Sequence, residues 1–340
     1  MFQQEALQQS LAFGVTTVID MWTGPPPRGF TGTSALARLK QIEATDAPEL
    51  SSVLTAGTGA TAKGGHPTQM DGGWAAVVTP TISAPDQART FVTARLTEGS
   101  DFVKIIDDDA SASFGLALPT LSEDIITALA TAAHEQGRLA IAHIGTERQA
   151  IEAINAGVDG LAHLFVGPSV SEAFVKVATR RHVFIIPTLA TLYSMCGPSD
   201  GAQILADKSV MMRVATPFQS TLSLPSGGVH PSCEGAKAAI PKLAAAGVAL
   251  LAGTDAPGPG TTYGASLHWE LQHLVDTGLP PSSALAAATS VAAHAFHLND
   301  RGRIQEGMRA DLVLVDGNPT RKIRATRNIV GIWKKGVPSR

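Results

Sequence analysis

The chain has 340 residues, 44% of them hydrophobic and 16% charged, with a formal net charge of −3, which suits one large α/β domain plus a small appendage. That balance offers no basic patch for a nucleic acid or an anionic membrane surface, and no apolar run approaches the roughly 18 residues of a membrane span. The N-terminal stretch is polar without a signal-peptide pattern, and two cysteines, Cys196 and Cys233, are too few for a disulfide framework, so a reducing, cytoplasmic setting is the expectation.

Seven short apolar runs rich in β-branched residues follow one another along the chain, at 15–19, 50–55, 102–106, 139–144, 160–165, 183–186 and 248–252. Their apolar residues stand side by side instead of alternating with polar ones, as in strands buried on both faces of a parallel sheet. Helical stretches separate them. Thr120 to Glu123 has the form of a capping box before a helix over 124–135, with Gly137 as its stop. Thr146 precedes a helix over 147–156 that Gly157 closes. An alanine-rich helix over 236–246 ends at Gly247, and Pro241 should kink it or mark its first turn. Strand–helix–strand repetition of this kind implies right-handed parallel crossovers. The fold expected is a (β/α)8 barrel of the TIM type with seven strands readable, one short of closure. A doubly wound open sheet is the alternative, but no glycine fingerprint for a dinucleotide follows the first strand. Beyond Leu298 the texture changes to a small β appendage, with two short strands around a turn in 303–316 and another over 328–335.

Four polar residues stand where a buried strand should have none, or at a strand's C-terminal end: Lys104, His143, His163 and Asp255. Each has an ordinary reading. A strand lysine usually sits at an exposed edge, a single strand-end histidine is more often structural than a ligand, and Asp255 could cap the following turn. Together they say more. In a barrel the C-terminal strand ends converge on the face that holds the active site. Two histidines, an aspartate and an interior lysine at matching points of four strands point to a site for a hard metal ion.

The order and spacing of several segments resemble the amidohydrolase superfamily, in particular its imidazolonepropionase-like and Xaa-Pro dipeptidase-like members. The segments are 12–20 (AFGVTTVID), 102–105 (FVKI), 141–143 (IAH), 160–163 (GLAH), 253–255 (GTD), the Gly64-Gly65-His66 loop and the closing 302–316 stretch. The resemblance covers most of the chain. It implies a metal-dependent hydrolase of C–N bonds, amide or peptide-like, working on a small-molecule substrate through metal-activated water. It further implies that Lys104 is carboxylated and bridges two metals, that His143 and His163 bind the second, and that Asp255 binds the first and moves the proton. One or two divalent ions per chain are expected, zinc foremost. His66, Tyr193 and His230 are candidates for the substrate pocket, and His66 alternatively for a missing ligand. Plain loop or structural roles are the competing readings for all three. The domain division expected is a barrel over 1–298 and a remnant of a small β-sandwich over 299–340.

The family's first strand ends in a His-x-His pair that should stand just before Phe13, and Met1 to Ala12 contain no histidine. The barrel is therefore expected to lack its first strand. A second hypothesis follows, a truncated or impaired homologue that keeps the fold and a partial metal site. The open edge left by a missing strand invites association, self-association included. The run Asp107-Asp108-Asp109 reads as a solvated turn, and the remaining histidines as structural.

Overall fold

The computed structural model describes residues 2–24, 33–70, 79–225 and 231–339. Seven parallel strands occupy the seven apolar runs. β1 (Thr17–Asp20) pairs with β2 (Ser52–Thr55). β3 (Val103–Asp107), β4 (Ala140–Ile144), β5 (Gly160–Ala162), β6 (Phe184–Ile186) and β7 (Ala249–Leu250) form a five-stranded sheet in chain order. The two sheets meet at Ala60, whose amide donates to the Lys104 carbonyl at 2.8 Å and whose carbonyl accepts from the Ile106 amide at 2.8 Å. Upstream of that bridge, the Asp101 amide donates to the Thr55 carbonyl at 2.7 Å.

Alternation along the strands divides the buried side chains between two faces. Val103, Ile105, Ala140, Ala142, Ile144, Leu161, Ile185 and Leu250 face outward and pack under helices such as Glu123–Glu135, Glu147–Asn155, Glu172–Arg180 and Glu234–Ala245. Ile141, Ala162, Phe184, Ile186 and Leu251 face inward. At the N-terminal ends of the strands Phe296 fills this inner space, its ring 5.5 Å from both Phe102 and Phe184. A Cβ on Gly160 would stand 2.3 Å from the Phe184 ring, so only glycine lets β5 pass beside that side chain.

The helices form where the sequence signals place them, with differences at the ends. Ser122, not Thr120, is the N-cap of Glu123–Glu135. Thr146 caps Glu147–Asn155 in a full capping box with Gln149. Gly137, Gly157 and Gly247 each take a positive φ just past a helix end, as helix stops do. Pro241 lies inside Glu234–Ala245.

The appendage differs from expectation. β8 (Leu312–Val315) pairs antiparallel with β9 (Ile329–Lys334), which pairs with β10 (Val337–Pro338). Residues 303–311 form no strand, so the hairpin expected within 303–316 is a single strand and its partner comes from β9. Lys334 anchors this sheet. Its buried ammonium donates to the carbonyls of Ala47 at 3.0 Å and Leu50 at 2.5 Å, just ahead of β2.

The two cysteines form a single bridge from Cys196 to Cys233 with a Cα–Cα distance of 5.9 Å. Two cysteines cannot build a framework, but two that stand on neighbouring helix ends can still meet. Among the described residues, no helix is long and apolar enough to cross a membrane.

Candidate active site

The C-terminal edge of the parallel strands gathers the polar side chains. Lys104 and His143 share the inner face of β3 and β4, since Lys104 is in register with Ile141 and Ile106 with His143. His163 directly follows β5, and Asp255 lies beyond β7. The His143 and His163 rings meet edge to face with centroids 4.7 Å apart. His163 Nε2 lies 4.0 Å from Asp255 Oδ2. The structure thus brings all four residues of the strand-end pattern together.

It also adds members. The His66 ring stacks on His143 at 5.2 Å, which carries the Gly64-Gly65-His66 loop into the group. Asp108 is buried, contrary to the reading of 107–109 as a solvated turn, and its Oδ2 lies 3.2 Å from His143 Nε2. The chain turns back after β3 through Ala110, whose amide donates to Asp108 Oδ1 at 2.8 Å. Gly145 makes room for this carboxylate, because a Cβ there would sit 2.0 Å from Asp108 Oδ1. His66, Asp108 and His143 each offer one ligand atom within 4.8 Å of the others, a geometry open to a metal ion. Asp20, at the end of β1, accepts from the Thr55 hydroxyl at 2.6 Å and adds its charge to the surroundings of Lys104.

Two site positions hold a left-handed backbone without being glycine, His163 at φ +99° and Asp255 at φ +55°, and Thr188 beside them does so at +51°. Such conformations persist only where the surroundings fix them, and they gather at functional sites.

Burial and neighbouring charge set the protonation states. Burial, with help from His143, lowers His66 to about 4. Burial, followed by the charges of His143 and Lys104, holds His163 well below the ordinary imidazole value. Both rings are therefore neutral at pH 7 and keep a lone pair for a ligand. Burial would raise Asp108, but the bond to His143 and the amide of Ala110 outweigh it and hold the carboxyl below its usual value. A neutral imidazole at His66 and an anionic carboxylate at Asp108 are donor states a divalent metal takes, and with His143 beside them the residues present fit such an ion. Lys104 is buried, and burial lowers its amine to about 8 against the pull of Asp255 and Asp20. Asp255 keeps 49% of its side-chain surface open to solvent, so water reaches it. The protein mass around it nonetheless raises its carboxyl, against Lys104 and His143.

Two other residues were expected to line the pocket, Tyr193 and His230. The Tyr193 ring packs across His273 at 4.6 Å, and burial pushes its hydroxyl far up. His230 lies outside the described residues. His268 donates through Nε2 to the Phe13 carbonyl at 3.1 Å and His273 meets Asp200 at 2.7 Å, both in the structural contexts expected of them.

A family model described as the amidohydrolase family matches residues 3–340, and the chain belongs to that family. Curated relatives match over shorter stretches. An uncharacterised protein of Mycobacterium tuberculosis is 29% identical over 104 residues, 31% of this chain and 27% of that protein. The imidazolonepropionase of Deinococcus deserti is 34% identical over 100 residues, 28% of this chain and 25% of that enzyme. These alignments thus span about a quarter of each relative. Among solved structures, a Xaa-Pro dipeptidase with methionine bound in its active site superposes with a TM-score of 0.71 at 21% identity, over 97% of this chain and 77% of that one. This last likeness is one of fold.

Proposed function

We propose that this chain is the catalytic portion of a metal-dependent amidohydrolase that cleaves a C–N bond, amide or peptide-like, in a small substrate. The observation that carries the reading is the convergence of His66, Asp108, His143, His163 and Asp255 around the buried Lys104 at one end of a parallel sheet. The family of the chain and the dipeptidase among its structural neighbours support it. In this reading the parallel strands belong to a (β/α)8 barrel whose first strand has no counterpart here, with residues 1–298 as barrel and 299–340 as a partial β-sandwich. The side of β1 that has no partner strand among the described residues is then the place where a further strand or a second copy would pair.

His66, Asp108 and His143 would hold one divalent ion, zinc foremost, and His163 with Asp255 would face it or a second one. When bound, such an ion polarises a carbonyl and lowers the pKa of water towards about 7. Asp255 stands where it can take the proton of an attacking water and return it to the leaving nitrogen, and its raised carboxyl suits that double role. Lys104 has an amine that burial already tilts towards the neutral form, the form that reacts with carbon dioxide, and carboxylation would replace a costly buried cation with an anionic ligand. His66 would contribute to metal binding in place of pocket lining, while Tyr193 and His230 stay candidates for the substrate side. A cytoplasmic location predicts that the Cys196–Cys233 pair is reduced in the cell.

The test is metal content of the purified chain together with hydrolysis of a dipeptide and N-acyl amino-acid panel. Bound divalent metal with metal-dependent turnover supports the reading. A folded protein that takes up no divalent ion and cleaves nothing on the panel defeats it.

A further inference from the structure

The helix Leu189–Cys196 begins at Thr188, immediately after β6. A threonine at this position normally turns its hydroxyl onto a backbone amide of the first turn, and so satisfies one of the four orphan N–H groups there. Thr188 makes no such bond. Its hydroxyl lies instead 2.8 Å from His163 Nδ1, and both residues are buried. The helix start is served from elsewhere. Glu270, fully buried on the helix Ala265–Asp276, accepts the Ala190 amide through Oε2 at 2.8 Å across 80 residues of chain. A carboxylate at this end of a helix also meets the positive end of the helix dipole.

A buried carboxyl is an expensive way to satisfy the Ala190 amide, even with the Leu189 amide adding its pull. Its other oxygen, Oε1, has no hydrogen-bond partner among the described residues. The cost makes sense if the amide is not the whole purpose. We propose that Glu270 is a positioning residue: it caps the helix Leu189–Cys196 from outside, and so frees the Thr188 hydroxyl to fix the ring of His163. With Nδ1–H donating to that hydroxyl, His163 presents the lone pair of Nε2 towards Asp255 and the ligand group, and the second-sphere bond sets its tautomer. The same helix ties down the Asp255 loop, since the Thr191 hydroxyl donates to the Thr254 carbonyl at 2.6 Å. One external cap therefore orders both residues on the β5 and β7 side of the site. In Glu270→Ala the orphaned Ala190 amide would draw Thr188 out of its left-handed backbone into the extended one from which its hydroxyl can cap the helix, and His163 would lose its anchor.

This inference rests on the reading of His163 as a site residue, but it can be tested without turnover. The test compares the full chain with Glu270→Ala, Glu270→Gln, Thr188→Val and the double variant Glu270→Ala/Thr188→Val. The first readout is the pair of ring-nitrogen shifts of His163 in protein carrying 15N-histidine, which report the tautomer with or without metal. The second is zinc affinity by calorimetry, and the third, where turnover is measurable, is the split between kcat and KM. We expect one Nδ1-protonated tautomer in the parent chain and exchange between tautomers in Glu270→Ala. Zinc affinity should fall about 10–100-fold, the usual range for loss of such a bond. KM should hold while kcat drops. Glu270→Gln keeps an acceptor oxygen and should restore most of the loss. Thr188→Val should reproduce the defect, and the double variant should be no worse than either single one, because both break one chain of contacts. If Glu270→Ala lowers only the thermal midpoint and leaves the His163 shifts unchanged, Glu270 is merely structural and the proposal falls. Additive losses in the double variant would overturn it equally. A parent chain that binds no zinc yet shows the expected shifts in His163 would sink the metal reading and leave the capping relation standing.

Discussion

The sheet from β3 to β7 and the region formed by β1, β2 and β8 to β10 are built to different degrees of completion. In the first, every inner strand is paired on both sides, helices cover the outer face, and Phe102, Phe184 and Phe296 close the bottom. In the second, β1 pairs only with β2 among the described residues, and the small sheet leaves Val313, Leu314, Val330 and Val337 exposed to solvent. This second region is held by two small apolar clusters, Leu7, Leu39, Leu50 and Val53 in one and Leu11, Ile329 and Ile332 in the other, and by polar anchors. Lys334 reaches the carbonyls ahead of β2, and Gln9 on the helix Phe2–Ala12 donates to Thr262 and Tyr263 and accepts from Ala215. The polar groups gathered at the strand ends sit almost wholly on the first region; Asp20 and His66 are the contributions from the other side.

The largest effect should come from the chemistry itself. Asp255→Asn keeps the shape of a side chain that is half open to solvent, so folding should survive. Hydrolysis should fall by about 10²–10⁴-fold, the usual contribution of a general acid–base group. An unchanged rate in a steady-state assay would move the proton-handling role to another residue. Core packing comes next. Phe174 is fully buried against Phe165, and Phe174→Ala should destabilise by about 3–5 kcal/mol in denaturant unfolding. Val330→Thr, on the exposed face of β9, should stay within about 0.5 kcal/mol and reduce aggregation. Equal costs at the two positions would erase the contrast between the regions.

The Cys196–Cys233 bridge joins positions 37 residues apart, and closing a loop of that size is worth about 3–4 kcal/mol in the chain-entropy model. Reduction should lower the thermal midpoint accordingly, and a midpoint unmoved by reductant would show that the bridge does not hold the fold. A pH effect of similar size belongs to His268. Burial lowers it to about 4 from the ordinary 6.5, so below pH 6.5 the unfolded chain takes a proton that the folded chain refuses. Stability from this group is complete above pH 6.5 and drains away as the pH falls towards 4, by about 3 kcal/mol in all. Glu270, raised by burial to about 7, runs in the opposite sense, its share being lost as the pH rises from about 4.5 to 7. The clean measurement is therefore the stability difference between the parent and His268→Gln across pH 4–8. It should be constant above pH 6.5 and move in favour of the variant below it; a difference that stays flat down to pH 4 would show that His268 does not titrate this way.

The strands were legible because parallel strands buried on both faces need unbroken apolar runs, and Lys104, His143, His163 and Asp255 stood out against them. Asp108 was not legible. Three aspartates in a row look solvated, and only the backward turn at Ala110 and the space above Gly145 take the middle one into the site. Glu270 was hidden for a different reason: an acidic residue in a helix reads as surface until the packing places it under the start of another helix. The appendage departed from its reading because residues 303–311 have no partner strand to pair with among those described.

The most direct test is the metal content of the parent chain beside His143→Ala and Asp108→Asn after dialysis against zinc and then buffer. His143 touches His66, Asp108 and His163 at once, so its loss should empty the site. We expect at least one equivalent of zinc in the parent, close to none in His143→Ala, weakened retention in Asp108→Asn, and unchanged far-ultraviolet circular dichroism in all three. Full zinc content in His143→Ala, or none in a well-folded parent, would contradict a metal centre at the C-terminal edge of these strands.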